Sequence, residues 1–125
     1  MRITPNERFN YKPCSIVALY YAYKDIYKVN MSMDDIVKAR PDGYLALSKM
    51  HTYVNMLFHV SKAEQYGKLH RFPLGEFLLN NDKKAIVCVL GHYVYVSGKD
   101  YYSFFNNYGD MVVKIWYVEE IKDGN

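Results

Sequence analysis

Cys14 follows Pro13 and opens the run CSIVALYYAYKDIY. Proline suits the first turn of a helix, where its missing N–H would have no partner anyway. A cysteine there faces unpaired backbone N–H groups and the positive end of the helix dipole, which favour thiolate over thiol. A sulfur nucleophile needs a base in hydrogen-bond reach and a third group that orients the base. His92, in the run AIVCVLGHYVYV, is the candidate base, and Gly91 before it leaves room for a substrate or a helix end to approach that strand. The next run, YYSFF, returns antiparallel, so Asn106 at its far end can neighbour His92 and hold one ring nitrogen while the other faces the sulfur. The oxyanion of an acyl-transfer intermediate needs donors beside the nucleophile. The Cys14 N–H is one, and the side-chain amide of Asn10 is a second.

Each of these residues also has a plainer reading. Cys14 can be an inert core thiol, His92 a satisfied strand histidine, and Asn106-Asn107-Tyr108-Gly109 simple turn chemistry. Cys88 lies inside a hydrophobic run and reads as core. His51, His59 and His70 show no ligand spacing with one another or with a cysteine, so neither a metal nor another cofactor is expected. Lys62, Lys68, His70 and Arg71, with Tyr66 among them, form a loosely basic segment. A solvated face explains it as well as a nucleic-acid contact does, and nucleic acid is not expected as a partner.

The elements that must position these side chains follow from periodicity. The run from Cys14 to about Tyr27 is apolar on nearly every side, which marks a buried helix. Ser32 followed by acidic residues predicts the start of a short helix that Pro41-Asp42-Gly43 ends. Met50, Tyr53, Val54 and Leu57 share one helical face and predict a helix over roughly Leu45 to Phe58. The stretch Ser61 to Pro73 shows no clear period. Leu74, Phe77 and Leu78 predict a short helix closing at Asn80-Asn81. The last third is β-branched and aromatic. With turns at Ser97-Gly98-Lys99-Asp100 and Asn107-Tyr108-Gly109-Asp110, it predicts a three-stranded antiparallel meander.

At 125 residues, half of them hydrophobic, the chain is the size of one domain with its own core, and no linker, repeat or low-complexity tract divides it. The formal charge of +3 is spread along the chain, which argues only weakly for an anionic partner. The 14 tyrosines fall mostly in regular segments and are expected at core edges with hydrated hydroxyls. No signal-like run begins the chain and no stretch reaches the ~18 apolar residues of a membrane span. The expectation is a soluble, cytoplasmic protein with reduced thiols and no membrane partner.

The order of a Cys opening a buried helix, a helical region, Gly-His on a strand and then Asn resembles the papain-like cysteine peptidases. It is most similar to the small bacterial and phage-type members related to the C39 peptidases. The resemblance rests on FNYKPCSIVALYYAY and PLGEFLLNNDKKAIVCVLGHYVYVSGKDYYSFFNN. It implies an α+β fold, with a helical N-terminal part packed on a C-terminal antiparallel sheet across residues 1–125. It also implies Cys14 as nucleophile, His92 as base and acid, Asn106 as orienter and an upstream amide, Asn10 or Asn6, in the oxyanion hole. The expected activity is thiol hydrolysis of an amide or isopeptide bond in a peptide or protein substrate, in the host cytoplasm if the chain is phage-encoded. Ser15 stands where those peptidases usually carry Gly, and Asn10 where they usually carry Gln. These departures suit a second expectation, a catalytically weak domain of this kind that acts by binding and inhibiting a host factor.

Overall fold

The structure is a computed structural model and describes residues 14–29, 47–103 and 106–122. The helix expected at Ser32 and the amides of Asn6 and Asn10 lie outside these residues. Among the described residues the chain is α+β: three α-helices, one 3-10 turn and a five-stranded antiparallel sheet.

Helix α1 spans Cys14–Tyr27, and Ser15 to Tyr20 and Ala22 are all buried, as an all-round apolar helix requires. It ends at Lys28, which adopts φ 56°, a left-handed conformation usually given to glycine at a helix end. Helix α2 spans Leu47–Leu57 and buries Met50 and Val54, the inner side of the expected apolar face. Helix α3 spans Leu74–Asn80. No side chain caps its start. Its first amides are instead taken by the carbonyls of a following turn, Leu74 N–H by Asp110 at 2.9 Å and Gly75 N–H by Tyr108 at 3.0 Å.

The strands are β1 (His59–Gln65), β2 (Lys84–Val89), β3 (His92–Ser97), β4 (Asp100–Tyr102) and β5 (Val112–Glu119), in the spatial order β1-β5-β2-β3-β4. This corrects the three-stranded meander. The run AIVCVLGHYVYV is not one strand but a hairpin, β2 and β3, turned at Leu90-Gly91 with Gly91 at φ 85°. The last run does not pair with the run before it. It crosses to lie between β2 and β1. Strand β1 falls in the stretch without a clear period, because an edge strand with alternating exposed positions and a bulge after Val60 has little apolar pattern to show.

Both faces of the central strands are covered. Ile86, Cys88, Tyr93, Tyr95, Trp116 and Val118 face α1 and α2. Ala85, Val87, Val89, Val94, Val96 and Ile115 face α3. Two-sided burial is why AIVCV reads as a continuous apolar run rather than an alternating one. Two tyrosine hydroxyls reach protein partners. Tyr95 donates to Asp25 at 2.6 Å and Tyr27 donates to the Leu57 carbonyl at 2.6 Å. The buried Trp116 indole N–H donates to His51 Nδ1 at 2.9 Å, tying α2 to the sheet.

Candidate functional site

Asp25, in the last turn of α1, accepts from the Tyr95 hydroxyl and lies 3.0 Å from the Lys84 ammonium. Tyr21, one turn earlier, stacks on Tyr102 with ring centres 5.4 Å apart. The C-terminal half of α1 therefore lies over the Lys84 and Ser97 end of the β2–β3 hairpin. Its first residue, about 16 Å back along the helix axis, reaches the other end, where the hairpin turns at Leu90-Gly91.

Cys14 is that first residue. It is half-buried and packs against the α1-side core, to which Cys88 belongs. Burial pushes the Cys88 thiol up to about 11, and the neighbouring Cys14 acts in the same direction. Arg71 and Lys114 act in the opposite direction. Lys114 is opposite Cys88 across the β2–β5 pair, with its ammonium 5.1 Å from the Trp116 ring centre. The end of the sheet under the α1 N-terminus thus carries two sulfurs and nearby positive charge. Ser15, next in the helix, is fully buried and its Oγ has no hydrogen-bond partner among the described residues.

His92 opens β3 at this same end and is half-buried. Its cross-strand partner is Val89, whose side chain belongs to the α3-side core, whereas Cys88 and Tyr93 form the next pair on the α1 side. Val89 and His92 are therefore the last pair before the Leu90-Gly91 turn, at the end of the hairpin that the start of α1 reaches. Strand β4 pairs only with Tyr95 to Ser97, so its ladder stops short of His92.

Asn106 is exposed, and its Oδ1 accepts the Tyr108 N–H at 3.2 Å, the side-chain turn that the plainer reading anticipated. The next residue differs. Asn107 is buried, its N–H donates to the Tyr101 hydroxyl at 3.2 Å, and its Nδ2 donates to Asp110 at 2.6 Å. Its Oδ1 is buried with no hydrogen-bond partner among the described residues. The turn carrying it is fastened to the β2–β3 turn by Leu90 N–H donating to the Met111 carbonyl at 3.0 Å. A buried amide oxygen left without a donor is costly and unusual. Sequence reading passed over Asn107, because adjacent asparagines in a turn look alike until burial separates them.

Among the described residues, no group of three His, Cys, Asp or Glu gathers to hold a metal, and no helix is long and apolar enough to cross a membrane. Comparison of the chain with protein-family models, with curated proteins and with solved structures gave no match.

Proposed function

We propose that this protein is a papain-like thiol hydrolase in which Cys14 attacks an amide or isopeptide carbonyl of a peptide or protein substrate. The observation that supports the reading is the position of Cys14 as the first residue of a buried helix, at the end of the sheet where His92 begins its strand. Backbone N–H groups at a helix start stabilise a thiolate and, through the Cys14 N–H, the oxyanion that follows. In this reading His92 takes the Cys14 proton and returns it to the leaving amine, and water clears the thioester. Asn10 supplies the second oxyanion donor and Asn106 is the expected orienter of His92. Because Asn106 spends its Oδ1 on Tyr108, Asn107 competes with it for that role.

Iodoacetamide at neutral pH tests the reading together with cleavage of fluorogenic peptides. Cys14 should alkylate at least ~10-fold faster than free cysteine, His92→Ala should remove that excess, and Cys14→Ala should remove cleavage. Alkylation of Cys14 at the free-cysteine rate, with no cleavage sensitive to Cys14→Ala, would rule the reading out.

One observation favours a second reading, a papain-like domain that inhibits a partner by binding. Ser15, which stands where the C39-related peptidases usually carry Gly, is fully buried beside Cys14, which suits a site that no longer turns over. Under this reading the iodoacetamide rate is ordinary, and binding to the partner survives Cys14→Ala.

A further inference from the structure

We infer that Cys14 and Cys88 form a reversible intramolecular disulfide under peroxide. This goes beyond the hydrolase reading and holds whether or not Cys14 cuts a substrate. The two sulfurs belong to one packed cluster: Cys14 lies against the core that contains Cys88, at the end of the sheet fixed by the Asp25 contacts of α1.

The backbone can yield at both positions. Cys14 is the first residue of α1, at the end of the helix rather than within it. Cys88 adjoins the bulge between Cys88 and Val89, where the β2–β5 ladder shifts register. A disulfide needs the two Cα atoms within about 7 Å, so its formation reports directly on how close the start of α1 lies to β2.

The two thiols differ in a way that orders the steps. Cys14 is half-buried, at a helix start and accessible to a small oxidant, whereas Cys88 is 8% exposed, and its Sγ points to its neighbour's carbonyl, Val89 O, at 3.5 Å. The Cys14 thiolate attacks one peroxide oxygen, the O–O bond breaks and hydroxide leaves, giving a sulfenic acid. The Cys88 sulfur then attacks the Cys14 sulfur, the S–O bond breaks, and the Cys88 proton leaves with the departing oxygen as water. Two thiols lose two electrons in total, and one peroxide becomes two waters. A thiol reductant reverses the bond by exchange.

The full chain treated with one equivalent of hydrogen peroxide at neutral pH should lose the mass of two hydrogens. Digestion without reductant should then yield a peptide pair joined through Cys14 and Cys88, and dithiothreitol should restore the mass. Dimedone, which traps sulfenic acid, should label Cys14 several-fold more in Cys88→Ala than in the wild type. Oxygen adducts at Cys14 with no cross-link in the wild type would overturn the inference, as would a disulfide joining two chains. Because the cross-link is read on the wild type, the result stands even if Cys88→Ala folds poorly, and it does not depend on hydrolase activity.

Discussion

Asn106 and Asn107 are chemically identical neighbours that the fold treats differently. Asn106 spends its side chain on a surface turn, while Asn107 is buried and holds Asp110 through its Nδ2. A hydrogen bond to a charged group contributes more than one between neutral groups, so Asn107→Ala is expected to lower stability by about 1.5 kcal/mol. Asn106→Ala should stay within about 0.5 kcal/mol, as exposed positions usually do. Urea unfolding of the two variants checks this, and equal losses would mean that burial does not distinguish the two amides.

At the scale of elements, α1 packs its apolar residues on the sheet, and its last turn is pinned there by one carboxylate. Burial pushes the Asp25 carboxyl up, but hydrogen bonds from Tyr95, Lys84 and Lys28 outweigh it, leaving the group below its ordinary value of 3.8. The same pairing, together with burial, drives the Tyr95 hydroxyl strongly upward. A carboxyl held low in the folded state adds stability above its unfolded value, and that stability is lost as pH falls through the folded value. Asp25→Asn is therefore expected to be less stable than the wild type near neutral pH. The gap should stay constant above about pH 5 and narrow as the pH falls from there to about 2. Thermal unfolding of both proteins across that range checks the sign; a gap that widens in acid would contradict the anchoring role.

On the scale of the whole molecule, one sheet serves two cores, and neighbouring residues of β2 face opposite ways. Ile86 belongs to the core under α1 and α2, Val87 to the core under α3. Both are fully buried. Ile86→Ala should cost about 2–5 kcal/mol and Val87→Ala a comparable if smaller amount. Both variants should unfold in one transition when followed by circular dichroism and by the fluorescence of the single Trp116, because the strands that carry one core carry the other. Two separated transitions would show that the faces melt independently. Much of this architecture was legible beforehand. The all-round apolar run predicted α1 over Cys14 to Tyr27, and the shared face of Met50, Tyr53, Val54 and Leu57 predicted α2, because burial stamps a period on a helix. The turn signals marked where strands end. The Leu90-Gly91 hairpin was hidden because β2 and β3 are buried on both faces and read as one run. Strand β1 was hidden because an exposed edge leaves no such mark. The sequence by itself determined the residue types available for chemistry and the placing of Cys14 at a helix start, since these depend on neighbours along the chain. Only the tertiary structure decided the crossing of β5 to the middle of the sheet, the burial of Asn107 instead of Asn106 and the nearness of Cys88 to Cys14. These depend on strand register and packing between segments distant in sequence, where a shift of one residue turns every side chain to the opposite face.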